Sequence, residues 1–284
     1  MTTVQKIIKY LAIAFAIFLS LTIISAIISG IYIAVNAIGL VTDRDTPALT
    51  QNLEVIESNI NERSSDISAI DIQILATNLQ IKTGDSFKIE TNNSEIKCKE
   101  ENGKITIIED EKYNWWFIGE EKDSRLVIYL PENEKEYDNI RIKNGAGKIT
   151  VEKLVTKRFE LKQGAGEVFI KNLVVSNNAI FKGGAGEVRI ESGRINNLEA
   201  KQGVGNTYIK AELYGNTNIK TGIGALGLDL NLPKDEYRFD VKKGIGEVTL
   251  DGMQIGSDSI YGDGYNKIEI KGGIGNIDIR TNQN

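Results

Sequence analysis

Lysine recurs at one fixed position of a repeated Gly-apolar-Gly motif in this chain of 284 residues. The motif occurs seven times, and the residue two positions before its first glycine is lysine each time. The lysines are Lys143, Lys162, Lys182, Lys201, Lys220, Lys242 and Lys271. If the repeats stack in register, these side chains form a cationic row that could bind an anionic polymer or lipid headgroups. The alternative is a solvated face on which neighbouring acids such as Glu160 and Glu199 offset the charge.

An aromatic segment, KYNWWFIGE at residues 112–120, is the second candidate for binding. Two adjacent tryptophans cannot both face the core of a strand, so at least one is expected at the surface or over one end of the fold. We interpret Tyr113, Trp115 and Trp116 as a contact surface for a glycan or for the membrane interface. The alternative interpretation is an aromatic plug that covers the first coil.

The residues that could perform catalysis are few. The chain has no histidine, which excludes histidine acid–base catalysis, Ser-His-Asp triads and zinc sites that use imidazole. Glu167 and Glu187 occupy the same position of neighbouring repeats and could form a carboxylate dyad, but no insertion surrounds them with a cleft. Cys98 is the only cysteine, so no intramolecular disulfide is possible, and its alternating context indicates a half-buried thiol. We therefore predict a protein that is not an enzyme.

Two kinds of glycine-rich segment resemble known ligand-binding motifs, but the residues in or around them do not fit those motifs. GIGALG, at residues 222–227, has the letters of a dinucleotide fingerprint, but LDLNLP follows where that fingerprint requires a helix. GGAGEVRIE and GGIGNIDIR resemble calcium-binding repeats, but Val188 and Ile277 occupy the aspartate position. The sequence accordingly predicts no cofactor and no metal.

The glycine motif lies between two runs of alternating apolar and polar residues. Three positions before the first glycine, the residues are Ile142, Leu161, Phe181, Ala200, Ile219, Val241 and Ile270. Six positions after it, they are Val151, Ile170, Ile190, Ile209, Leu228, Leu250 and Ile279. Alternation on both sides predicts two short strands per repeat, each with one buried face. The apolar residue between the two glycines is predicted to point inward.

A repeat of about 20 residues with two half-buried strands cannot bury a core alone. Stacking the repeats, with each strand about 4.8 Å from its counterpart in the next coil, gives them a common core. The predicted fold is all-β, a flattened parallel β-solenoid, whose glycines mark a corner that needs positive φ and no Cβ. Its regular coils span residues 140–284, and residues 65–139 are predicted to be degenerate early coils or a strand-rich cap.

A long uncharged segment lies near the N-terminus, between Lys9 and Asp43. As a helix it would be about 50 Å long, against about 30 Å of hydrocarbon, so we predict one tilted transmembrane helix at residues 10–36. The segment is too long for the apolar region of a signal peptide, although cleavage after it is the alternative.

The flanking charges predict the orientation of this helix. Lys6 and Lys9 precede it, which places residues 1–9 in the cytoplasm. Residues 37–64 are then a linker, and residues 65–284 form an extracytoplasmic domain at the cell membrane. The formal charge of the whole chain is −5, and an acidic domain argues against nucleic acid as a partner. The expected partners are the membrane and a cell-surface polymer or envelope protein.

The runs IRIKNGAGKITVEKL, FELKQGAGEVFIKNL and IFKGGAGEVRIE resemble a bacterial β-strand-repeat family, the toast-rack domain, whose uncharacterised members are labelled adhesins. SAIDIQILATNLQIKTGDSFKIE resembles the family's N-terminal strands, so the resemblance covers about residues 65–284. It implies a cell-envelope function, either as a binding or adhesion module or as a sensory or accessory protein of an envelope-stress pathway. It brings no catalytic residues, and a carboxylate-based carbohydrate enzyme is the remaining alternative. The ligand and the oligomeric state stay open.

Overall fold

The structure is a computed structural model that describes residues 54–55, 67–110, 123–132, 135–256 and 258–282. Within these ranges, no helix has the length and apolar character needed to cross a membrane. The transmembrane helix predicted at residues 10–36 lies outside the described residues. The strands described below belong to one compact unit, Asn52–Asn284.

The described chain is almost entirely β-strand, which confirms the predicted all-β class. Its strands alternate buried and exposed side chains, as expected when each strand covers one face of a core. The strands are β1 (Glu54–Val55), β2 (Ala69–Ile74), β3 (Asn78–Gly84), β4 (Lys88–Thr91), β5 (Ile96–Glu101), β6 (Lys104–Glu109), β7 (Arg125–Pro131), β8 (Asn139–Ala146), β9 (Ile149–Ile190), β10 (Gly193–Asn196), β11 (Leu198–Val204), β12 (Thr207–Tyr214), β13 (Asn216–Ile223), β14 (Leu226–Pro233), β15 (Tyr237–Ile245), β16 (Val248–Leu250), β17 (Met253–Gln254), β18 (Ser259–Tyr261), β19 (Asn266–Ile274) and β20 (Ile277–Asn282). A 3-10 turn at Lys234–Glu236 precedes β15.

One side of the molecule, which we call the lysine face, is a series of parallel strands. Their order is β6, β2, β8, two segments of β9 (159–165 and 179–185), β11, β13, β19 and β15. The two β9 segments are neighbours, since Phe159 and Phe181 contact each other edge to face with ring centroids 5.4 Å apart. The antiparallel strands β5 and β18 pair with the two outer edges.

The opposite face repeats this arrangement with the second strand of each coil. The order is β7, β3, three short segments of β9, then β12, β14, β20 and β16. Antiparallel β4 and β17 pair with its outer edges, and β1 pairs with β4. A short third side closes the coils, where β10 runs parallel to residues 173–175 and to β12.

A single apolar core lies between the lysine face and the opposite face. Ile190 pairs in register with Ile209, and the Ile170 carbonyl accepts a hydrogen bond of 2.9 Å from the amide of Glu191. The three isoleucines are at most 1% exposed. They occupy consecutive places in one buried row, which confirms the predicted register of the repeats.

The coils do not follow the order of the chain at its two ends. β19 pairs with β13 on one side and β15 on the other, so Lys220 neighbours Lys271 and not Lys242. The expectation that each coil pairs with the next in sequence is therefore wrong here. The reason is that β18 and β17 cover the outer edges of β15 and β16, which leaves only their inner edges for the last repeat. At the other end, β6 and β7 likewise lie outside β2 and β3, beneath β5 and β4.

The two glycines of each motif serve different purposes at the corner. Gly184 has no positive φ, but a Cβ there would lie 2.2 Å from the carbonyl oxygen of Gly164. Gly186 has a φ of +132°, and its Cβ would lie 1.8 Å from the carbonyl oxygen of Gly166. Packing of adjacent coils thus requires the first glycine, and both packing and backbone conformation require the second.

The residue just before the motif is buried and bonds to the corner. Gln202 donates hydrogen bonds of 3.1 Å from Nε2 to the carbonyl oxygens of Gly186 and Val204. In the neighbouring part of the stack, Gln163 donates one of 2.9 Å to the carbonyl oxygen of Gly147. Each amide therefore links its own coil to the preceding one through hydrogen bonds to backbone carbonyl groups.

The residue between the two glycines points outward, so the prediction that it points inward is wrong. Every second residue of the strand faces the core up to Gln202 and its equivalents, one position before the first glycine. The chain turns at that glycine, so the residue after it faces solvent instead of the core. We call these outward residues the corner row: in stack order Ala146, Ala165, Ala185, Val204, Ile223, Ile274 and Ile245.

Candidate binding face

The seven repeat lysines form one continuous row on the lysine face. Their order along the stack is Lys143, Lys162, Lys182, Lys201, Lys220, Lys271 and Lys242. Parallel strands place equivalent backbone positions about 4.8 Å apart, and the long side chains extend into solvent from there. The structure therefore brings together all the lysines that the sequence pattern selected.

Glutamates two residues earlier pair with three of these lysines. The distances between Nζ and the carboxylate are 2.5 Å for Lys162–Glu160, 2.6 Å for Lys201–Glu199 and 2.6 Å for Lys271–Glu269. The hydrogen bond from lysine is the main cause that lowers the pKa of each glutamate. These pairs are solvated and contribute little to stability, but they offset part of the positive charge.

Basic side chains still outnumber acidic ones on the repeat strands of the lysine face. The further outward cations are Arg141, Arg158, Arg238 and Lys267. The outward acids are Glu160, Glu199, Asp240 and Glu269. Although the chain as a whole has a formal charge of −5, the repeat strands of this face therefore carry an excess of positive charge, which can attract a polyanion.

This composition predicts that binding of a polyanion is insensitive to pH between about 5 and 8. The chain has no histidine, and the lowered pKa values of Glu160, Glu199 and Glu269 keep them ionised throughout this range. We expect the affinity for poly(glycerol phosphate), whose diesters do not titrate there, to change less than about twofold in biolayer interferometry at constant ionic strength. A tenfold rise in affinity towards pH 5 would contradict this prediction.

Each carboxylate of the candidate dyad forms an ion pair with a cation. Glu167 forms an ion pair of 3.2 Å with Lys148, and Glu187 one of 3.2 Å with Arg189. Both carboxylates are more than one-third exposed. Cation-paired, solvated carboxylates at this position are typical of surface charge rather than of a shared catalytic proton.

Cys98 is half-buried in β5, as its sequence context predicts. Burial, with a smaller effect from Glu100, raises the pKa of the thiol to about 11. A thiol with so high a pKa contains almost no thiolate at neutral pH and reacts slowly. Among the described residues, no group of three or more acidic or cysteine side chains is arranged to hold a metal ion.

The aromatic candidates Tyr113, Trp115 and Trp116 lie outside the described residues. Their assignment as a contact surface remains a prediction.

The corner row is the surface feature that the sequence reading missed. Ile223 is 52% exposed, Ile274 50% and Ile245 70%. The signal available in the sequence was a change of parity: buried positions fall at odd distances before the first glycine and at even distances after it. Such a change requires the chain to turn between them, and the residue at the turn then faces solvent.

Comparison with known proteins gives one family match. The family model Toastrack DUF4097 matches residues 67–271. No curated protein matches the chain. A structure described as a "putative cell adhesion protein" from Clostridium sporogenes is 17% identical with a TM-score of 0.38, covering 81% of this chain and 98% of that one. A "putative adhesin" from Bacteroides fragilis is 13% identical with a TM-score of 0.31, covering 75% of this chain and 92% of that one.

Proposed function

The chain belongs to the Toastrack DUF4097 family, and from this premise we propose that it is a non-enzymatic binding module of the bacterial cell envelope, an adhesin for anionic surface polymers. The single observation that supports this most directly is the unbroken lysine row on a basic face of an otherwise acidic chain. A repeated row of equal charges is suited to a repeating polymer, because each coil can contact the next charged unit.

The proposal includes a location. A single transmembrane helix at residues 10–36, with residues 1–9 in the cytoplasm, anchors the chain. Residues 37–64 link it to the domain at 65–284, a parallel β-solenoid outside the cell. Support for this arrangement comes from the uncharged N-terminal segment and the lysines that precede it.

The test is the affinity of the full chain, held in nanodiscs of neutral lipid, for poly(glycerol phosphate). Changing four consecutive lysines of the row to glutamine should lower the affinity at least about tenfold at low ionic strength and weaken its salt dependence. The four changes are Lys182→Gln, Lys201→Gln, Lys220→Gln and Lys271→Gln. Each is exposed, so the fold should persist, which circular dichroism checks.

A matched control removes the same charge elsewhere. The control variant changes four lysines in the second half of their coils, away from the lysine face. The changes are Lys148→Gln, Lys153→Gln, Lys171→Gln and Lys210→Gln. The control should retain most of the affinity. Equal affinities for the parent chain, the row variant and the control would end the proposal that the lysine row is the binding site.

A further inference from the structure

Three isoleucines at one end of the corner row are exposed side by side. Ile274 pairs in register with Ile223 on one side and with Ile245 on the other, so the three occupy consecutive coils. They are 52%, 50% and 70% exposed in the order Ile223, Ile274, Ile245. Isolated exposed apolar residues need no explanation, but a contiguous set indicates an interaction surface.

The glycines on either side leave this row uncovered. Each isoleucine is flanked by Gly at both neighbouring positions, and those glycines also stack coil on coil. No side chain from the flanking rows can therefore fold over the isoleucines. Because burial of apolar surface is favourable, a partner that covers the exposed parts of all three side chains would be stabilised by removing them from water.

Lysines lie next to the isoleucines in the same strands. Lys220, Lys271 and Lys242 each precede an isoleucine by three residues, which is at most about 10 Å of chain. The lysines form their own row in the same register. A cationic row thus runs parallel to an apolar row.

The same end of the lysine face has further apolar and basic groups. Ile260 in β18 lies opposite Asp240 on the outer edge and is 55% exposed. It lines a groove in which the basic side chains Arg238 and Lys267 lie with the acidic side chains Asp240 and Glu269. Exposed apolar surface therefore continues from the three coils of the isoleucine row to the capping strand β18.

We propose that this end of the molecule docks on a bilayer that contains anionic lipids, with the three isoleucines in the interface and the neighbouring lysines on the headgroup phosphates. Charge complementarity favours this occupant: apolar side chains enter the headgroup region while basic side chains bind its anions. A second copy of the chain would instead place its own lysine row beside this one, and like charges repel. The proposal rests on the proposed function, because it assigns a second anionic partner to part of the same lysine row.

The test places a fluorescent label on the row in the full chain. Ile274→Cys, in a Cys98→Ala background, is labelled with an environment-sensitive dye and reconstituted in nanodiscs of neutral or of partly anionic lipid. In anionic discs the emission should shift to the blue, and nitroxide lipids should quench about half of it or more, as for a group about 5–10 Å into the interface. In neutral discs the quenching should be lost.

Two matched variants make the result specific. A label at Lys171→Cys, exposed in the second half of its coil, should show little quenching in either disc. Adding Lys220→Gln, Lys242→Gln and Lys271→Gln to the chain labelled at position 274 should remove the quenching in anionic discs. Equal quenching at positions 171 and 274, or none at 274 in anionic discs, would overturn the proposal.

Other outcomes separate this proposal from its competitors. A spectral change at position 274 that depends on protein concentration and not on lipid charge would overturn it in favour of pairing between copies. Retained polymer binding without quenching would overturn docking and leave the proposed function standing. Quenching without polymer binding would support docking and remove the proposed polymer ligand.

Discussion

Gly186→Ala should destabilise the fold by at least about 3 kcal/mol, the largest effect we expect from adding a single methyl group. The residue has a φ of +132°, which L side chains rarely adopt, and the new Cβ would lie 1.8 Å from the carbonyl oxygen of Gly166. Strain of this kind costs about 1–3 kcal/mol, and overpacking costs a similar amount. The obstructing atom belongs to the backbone of a paired strand and cannot move without disturbing the adjacent coil. The measurement is pulse proteolysis of the chain in urea.

Substitutions of two further glycines separate the effect of backbone strain from that of close contact between coils. Gly184→Ala introduces a Cβ 2.2 Å from a backbone oxygen without a positive φ, and we expect a loss of about 2 kcal/mol. Gly252 has a φ of +77°, but a Cβ there would have no atom within 4 Å, so we expect Gly252→Ala to destabilise the fold by about 1 kcal/mol. If Gly186→Ala cost no more than Gly252→Ala, close contact between coils would not be the reason for the glycine motif.

The repeat made most of the fold predictable from the sequence. Residues at fixed distances from each glycine occur as equivalent side chains in the structure, as the consecutive positions of Ile190 and Ile209 show. That inference needed only strand alternation and the inability of a single repeat to bury its core. The lysine row followed from the same register, since all equivalent positions of parallel coils lie in line.

Pairing at the ends of the stack was not predictable in this way. The sequence shows that the last repeat is strand-forming, but not which free edge it pairs with. The capping strands β17 and β18 decide this by covering the outer edges of β16 and β15. A clue existed, because the glycine motifs at Gly244 and Gly273 are further apart than any other neighbouring pair, which leaves room for a hairpin between them.

The prediction for the residue at the corner was wrong for a different reason. Alternation predicts the side of a residue only while the strand remains extended, and the glycines are where the strand bends. Extending the pattern through Gly222 placed Ile223 in the core, whereas the turn places it in solvent at 52% exposure. As a result, the alternation pattern assigned the corner row to the core and did not indicate it as a surface for binding.

Ile190→Ala and Ile223→Ala make the same chemical change and should differ strongly in effect. Ile190 is fully buried in the central row between Ile170 and Ile209, so its truncation should cost about 3 kcal/mol through lost burial and a residual cavity. Ile223 already exposes half of its surface, and flanking glycines leave no side chain to collapse around it. Its truncation should cost less than about 1 kcal/mol. Urea unfolding of both variants beside the parent chain measures the difference, and equal losses would mean that the corner row is packed inside the fold and is not free to meet a partner.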